Sequence, residues 1–327
     1  MSQASADKLS SLSSNGIVTD LARLLGCRHW AQGINLFSRQ AARNMLLGNV
    51  RSRFRGRGME FEEVRRYQAG DDIRTIDWKV SARAQGTYTK LFCEERERPC
   101  HIIVDQRSSL FFGSTGLFKS VLAAEIGSAI AWAALKGGDR VGGQVIGDKT
   151  EKDSRAKRSK QSVLRFIHDI NELNHQLLEP AHTIKDQVPT KHSQAETKSS
   201  IANSLEECRR ITRPGTAVFI ISDFHDFDDT AAKALSNLSK HTDVSLIKIN
   251  DELEKDLPVF GGVAISDGEH ANKVQITPLL KRRYQTQLSE QDQILKSAAI
   301  HARALFAEIS TSQSARQALM QLFVQSR

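Results

Sequence analysis

From residue 99 onward, short apolar runs alternate with longer amphipathic stretches along the chain. His101 to Asp105 is a continuous apolar run ending in a carboxylate, which predicts a buried strand. Leu117 to Leu135 is apolar on nearly every face and predicts a helix covered on all sides, closed by Gly137 and Gly138. Arg140 to Ile146, Thr216 to Ile221 and Val244 to Ile249 predict three more strands. Helical spacing marks Gln161 to Leu173, Ser199 to Ile211 and Asp229 to Leu238. Leu279 to Ile309 predicts one long helix, with Leu288, Leu295, Ala299, Ala302, Leu305 and Ile309 on a single stripe. Residues 148–160 predict a loop or hairpin, and 178–198 an irregular stretch containing Pro180 and Pro189. Strands alternating with helices predict a mainly parallel sheet with helices on its faces, an α/β fold of Rossmann type.

Upstream the pattern is different. Asp20 to Leu47 predicts one or two helices interrupted near Gly33, with Asp20 as cap. Arg51-Ser-Arg-Phe-Arg-Gly-Arg-Gly58 has no apolar period and reads as a loop. Met59 to Tyr67, Ile73 to Trp78 and Tyr88 to Glu95 predict short strands separated by turn residues. Three regions follow: 1–50, polar, basic and helical; 51–98, a β segment; and 99–327, the α/β domain with its C-terminal helix.

Composition narrows the class. Hydrophobic residues make up 39% and charged ones 26%, enough for a packed core. Val121 to Leu135 is 15 residues long, contains Glu125, and as a helix spans about 22 Å against a bilayer core of about 30 Å. With a Ser-rich rather than an apolar beginning, the expected location is cytoplasmic. The four cysteines are too dispersed for a zinc knuckle or a disulfide framework.

Charge adds one feature. Net charge is +8, and residues 1–100 carry 17 Lys and Arg against 11 Asp and Glu. Between Leu21 and Met59 there are eight arginines and no acid. Arg39, Arg43, Arg51, Arg53, Arg55 and Arg57 therefore form a candidate contact for a polyanion, nucleic acid or acidic lipid, or for an acidic protein face.

The candidate chemistry lies at strand ends. Asp105 and Asp223 each close an apolar strand, and in an open parallel sheet such ends line the ligand crevice. Asp226, Asp228 and Asp229 crowd the start of a helix, whose dipole favours acids. His225 beside Asp223 is the one acid–histidine cluster. A metal-dependent hydrolase built on Asp105, Asp223 and His225 is the enzymatic alternative, but no base–nucleophile pair accompanies them. Gly113 to Ser120 has the outline of a phosphate-binding loop, yet Phe118 stands where Gly must precede the Lys.

Asp105-Gln-Arg-Ser-Ser109 resembles the Asp-x-Ser-x-Ser motif of von Willebrand factor A-like domains. The resemblance implies that fold for the C-terminal two-thirds. It also implies a metal-ion-dependent adhesion site in which hydroxyl and carboxylate oxygens hold Mg²⁺. Asp105, Ser109 and Asp223 match. Arg107 replaces the middle Ser, and Ser199 or Ser200 is nearest to the expected Thr. The expectation is a degenerate site without cofactor, in which Arg107 supplies the positive charge.

A second resemblance is denser. Arg66-Tyr67-x-x-Gly70-Asp71-Asp72-x-Arg74-x-Ile76-Asp77-Trp78-x-x-Ser81-Ala82-Arg83, followed by Glu94-Glu95-Arg96, is similar to the signature of the bacterial "domain of unknown function 58" family. Read physically, Asp71, Asp72 and Asp77 pair with Arg66, Arg74 and Arg83, and Trp78 anchors the segment by burial. The family resemblance implies a non-enzymatic interaction module. Its implied partners are a MoxR-type AAA+ ATPase and other A-domain proteins, engaged at Asp105, Arg107, Ser109 and Asp223.

Overall fold

The computed structural model describes residues 16–37, 60–68, 71–84, 86–93, 98–178, 200–258, 262–266 and 271–323. The chain divides into two compact units, one of Met1–Ser52 with Pro99–Arg327 and the other of Arg53–Arg98.

The first unit opens with helices α1 (Leu21–Gly26) and α2 (Arg28–Ala31). Asp20 caps α1 by accepting from the Ala22 amide at 3.0 Å, as its position predicts. These helices belong to the same unit as the α/β sheet. The Thr19 amide and hydroxyl each donate at 2.8 Å, to Asn174 and Asn171. Arg23 reaches the buried Glu125.

The second unit contains an antiparallel pair, β1 (Glu60–Arg66) and β2 (Tyr88–Cys93). Between them the expected strand Ile73 to Trp78 is instead a 3₁₀ turn, Ile73–Thr75, followed by α3 (Trp78–Ser81). The reason is aspartate capping. Asp72 accepts from the Arg74 amide, and Asp77 accepts from Lys79 and Val80, which folds the backbone into helical turns. Only the Ile76–Thr89 bridge keeps strand character there.

The remaining elements build the main sheet. β3 (Pro99–Asp105) leads through a 3₁₀ turn, Ser108–Leu110, to α4 (Lys119–Lys136), and β4 (Arg140–Ile146) follows. β5 (Glu151–Lys157) turns back antiparallel on β4, so the polar 148–160 segment is a hairpin. Then come α5 (Lys160–Gln176), α6 (Ile201–Ile211), β6 (Ala217–Ser222), α7 (Asp229–Ser239), β7 (Asp243–Asn250) and α8 (Glu252–Lys255). A two-stranded hairpin, β8 (Gly262–Ser266) and β9 (Ala271–Gln275), precedes α9 (Pro278–Ala302), β10 (Leu305–Ser310) and α10 (Ala315–Phe323).

The six strands run in the order β10-β7-β6-β3-β4-β5, all parallel except β5 at one edge. This is a mixed α/β fold of Rossmann type, as the alternation predicts. α4 is buried from Lys119 to Ala134, because it lies on the sheet and is covered by α1, α2, α5 and α10. Gly127 makes that contact close: a Cβ there would stand 2.4 Å from the Val104 side chain. The opposite face packs α6, α7 and α9 through Leu205, Leu235, Leu295 and Ala299.

One long-helix expectation is corrected. The helix stops at Arg303, in the left-handed conformation with φ 54°, and Leu305 and Ile309 lie in β10. Apolar spacing across a helix end and a buried strand imitates a single stripe. β10 is buried at Leu305, Phe306, Ala307 and Ile309, which is the continuous burial of a parallel strand.

Candidate functional site

β3 and β6 are adjacent and parallel, with Val104 opposite Ile221. The chain leaves β3 toward β4 and leaves β6 toward β7, on opposite sides, so the sheet reverses direction between them. At such a switch point the loops diverge and leave a crevice. Asp105 closes β3 and Asp223 directly follows β6, so the two acids stand at neighbouring strand ends.

Asp105 is fully buried. Arg107 donates to it twice, from Nε at 3.0 Å and from Nη2 at 2.7 Å, and the Ser222 hydroxyl donates at 2.6 Å. The same guanidinium holds Asp226 through Nη1 at 2.6 Å and Nη2 at 2.9 Å. Asp226 also accepts from the Ile201 amide at the start of α6. One arginine thus fastens the end of β3, the loop after β6 and the N-terminus of α6. Burial pushes the Asp105 carboxyl upward and Arg107 opposes it, with Asp223 adding to the rise, so its pKa lies above the ordinary value. Burial also raises Asp226, but the Arg107 bonds outweigh this and leave it below the usual carboxylate range.

A second buried cation stands beside the first. Lys119 donates to Asp223 at 3.2 Å and to Glu254 at 2.6 Å. Burial alone would lower its pKa; Asp223 and Glu254 reverse that and hold it above the ordinary value. Ser109 donates to Asp223 at 3.4 Å, and Asp223 accepts from the His225 amide at 3.1 Å. The His225 ring itself is exposed and bonds to neither acid, so the hydrolase arrangement is not assembled.

The neighbouring loops are also committed. Asp251 accepts from the Ser114 amide at 2.9 Å, from its hydroxyl at 2.5 Å and from Thr311 at 2.5 Å. In the Gly113 to Ser120 turn the Ser114 amide thus serves a carboxylate, and the Phe118 and Lys119 amides donate to the Gly16 and Phe112 carbonyls. Asp148 accepts from the Ser108 amide and hydroxyl, each at 3.1 Å.

The residues do not fit Mg²⁺. The middle position of the adhesion motif is a guanidinium bonded to Asp105, and an ammonium is bonded to Asp223. Two fixed positive charges between those carboxylates repel a divalent cation and satisfy the oxygens that would bind it. Ser200, one candidate for the missing Thr, caps α6 by accepting from Asn203. Ser199 lies outside the described residues. A separate cluster of His168, Asp169 and Glu172 is also served by a cation, since Lys152 meets Glu172 at 2.5 Å.

The other predicted residues are more dispersed. In the signature, Asp71 pairs with Arg65 at 2.7 Å rather than Arg66. Asp72 is 3.9 Å from a largely exposed Arg74. Arg66 and Arg83 form no ion pair among the described residues. Tyr67 donates to the Asp71 carbonyl at 3.2 Å. Trp78 is 68% exposed, so it does not anchor its unit by burial. Gly70, and Arg39, Arg43, Arg51, Arg53, Arg55 and Arg57, lie outside the described residues.

Sequence reasoning missed Lys119, Ser222, Asp226, Asp251 and Glu254 as parts of the crevice. Lys119 was visible only as the lysine of an imperfect phosphate loop. Asp226 was masked by its acidic neighbours, which serve the helix: Asp228 caps α7 through the Ala231 amide.

These features define the class: an α/β protein whose mainly parallel six-stranded sheet carries a buried cluster of paired charges at its switch point. The chain belongs to the family described as "Protein of unknown function DUF58", which it matches over residues 63–294. Uncharacterized protein Rv1480 of Mycobacterium tuberculosis is 26% identical over 270 residues, spanning 82% of this chain and 76% of its own length. Uncharacterized protein Mb1516 of Mycobacterium bovis matches to the same extent, 26% over 270 residues. Among solved structures, a conserved hypothetical protein BatB from Bacteroides thetaiotaomicron is similar with a TM-score of 0.43 and 13% identity. That match covers 69% of this chain and 96% of the other.

Proposed function

We propose that the protein is a non-enzymatic interaction module of von Willebrand factor A-like type. Its crevice docks a MoxR-type AAA+ ATPase, and with other A-domain proteins it takes part in chaperone-like assembly or activation of further complexes in the cytoplasm. The observation that carries this reading is the Arg107 bridge from Asp105 to Asp226. It occupies the place where an adhesion-type site has its cation, and fixes the surrounding loops by bidentate bonds. Asp105, Asp223, Asp226 and Asp251 all hold structural partners, and among the described residues no activated nucleophile accompanies them. A buried charge cluster that fixes the exposed loops around it, with its acids already bonded, suits recognition better than proton transfer.

The test is binding of the purified MoxR-type ATPase from the same genome to wild type and to two rim variants, Asp148→Lys and Ser109→Arg. Circular dichroism verifies that the variants are folded. Both substitutions should weaken binding by at least about tenfold, since a reversed charge at Asp148 and a new bulky cation at Ser109 both oppose encounter and contact. Unchanged affinity in both variants would remove the crevice as the docking face.

A further inference from the structure

The other end of the same sheet holds a cavity unrelated to the crevice. Where β3 and β4 begin and β5 ends, a recess of about 440 Å³ opens beside the segment linking α6 to β6. Arg140, Arg155 and Arg213 line it from three separate elements. All three are exposed, and none pairs with a carboxylate among the described residues. Arg140 makes one 3.4 Å bond, to the Ala156 carbonyl. Asp153 is the acid in the lining, outnumbered by the three guanidinium groups.

His101 of β3 lines the same recess. It is 4% exposed, and its Nε2 is buried without a hydrogen-bond partner. The ring packs in the floor of the recess, with this nitrogen closed to solvent. Burial holds the His101 pKa down at about 4, which leaves the ring neutral near pH 7. Pro99 and Ile211 add apolar wall. The volume falls within the range of small-molecule sites, about 300–1,000 Å³.

We propose that this recess binds a small molecule bearing a phosphate-type oxyanion. Arg140, Arg155 and Arg213 neutralise the anion through their planar donor forks, and the His101 ring forms the wall behind them. Pro99 and Ile211 contact the apolar body of the ligand. Guanidinium groups match phosphate oxygens in geometry and remain charged at all physiological pH values.

The experiment titrates the full chain with inorganic phosphate and with phenyl phosphate at constant ionic strength. Calorimetry gives affinity, and the ¹⁵N signals of the His101 ring, assigned with His101→Gln, report the site. Saturable binding is expected, tighter for phenyl phosphate, with a shift of the His101 ring signals. The exposed pair Arg155→Ala/Arg213→Ala should weaken it by at least about tenfold. Arg282→Ala/Arg283→Ala, which removes the same charge from α9, should leave it unchanged. Absence of saturable binding at millimolar phosphate would overturn the proposal. So would unaltered affinity in the Arg155/Arg213 variant, or His101 signals that stay fixed at saturation.

Discussion

The Arg107 guanidinium lies 2.6 Å from Asp226, a residue 119 positions further along the chain. The same side chain closes on Asp105 two residues before it. A short local loop is thereby locked to a distant one. An arginine is suited to this because its donors form a planar fork that can serve two carboxylates at once. Asp105 and the guanidinium are withdrawn from solvent while Asp226 is partly exposed, so loss of the bridge strands the Asp105 charge in the interior.

Replacing Arg107 by Ser recreates the Asp-x-Ser-x-Ser spacing but leaves Asp105 buried and unpaired. The expected loss of stability is about 3–5 kcal/mol. Millimolar Mg²⁺ should then restore part of it, since a cation regains access to Asp105 and Ser109. The wild-type midpoint should be insensitive to Mg²⁺. Thermal denaturation of both proteins with and without Mg²⁺ checks this, and a wild-type midpoint that rises with Mg²⁺ contradicts it.

Lys119 and Asp223 form a second coupled pair. Lys119→Met should destabilise by about 3 kcal/mol, because Asp223 is left without its cation. Asp223→Asn in the same chain should recover part of that loss. A double-mutant cycle from urea denaturation should yield a coupling of about 1–3 kcal/mol. Strict additivity would show that the contact carries no energy.

His101 makes stability depend on pH. Its folded pKa is lowered to about 4, while an unperturbed His titrates near 6.5. The contribution is therefore fully present above pH about 6.5 and declines as pH falls toward 4, where the unfolded chain takes up the proton first. The total is about 3 kcal/mol at most. Below pH 4 this group adds no further slope. Denaturant midpoints across that window should fall in wild type and fall less in His101→Gln.

Gly127 sets how closely α4 approaches β3. Gly127→Ala puts a methyl group within 2.4 Å of a β-branched side chain that cannot swing away freely. The expected loss is about 1–3 kcal/mol, despite the better helix propensity of Ala. A midpoint equal to or above wild type would show that the helix shifts without cost.

The sequence by itself determined the alternation of buried strands and covered helices, and with it the position of Asp105 and Asp223 at strand carboxyl ends. Those signals are local: a continuous apolar run, a helical stripe, and a polar residue where the run stops. It also carried the substitution of Arg107 into the adhesion motif. Tertiary structure alone decided what that arginine does. Arg107 meets Asp226, and Lys119 meets Asp223 and Glu254, only because distant strand ends are brought together, and no local period encodes a contact across more than a hundred residues. Local reading also failed where one pattern imitated another. The stripe through Leu305 and Ile309 continued past a left-handed Arg303, and the apolar positions of Ile73 to Trp78 were bent into helical turns by Asp72 and Asp77. In both places a backbone bond, not the apolar spacing, set the conformation.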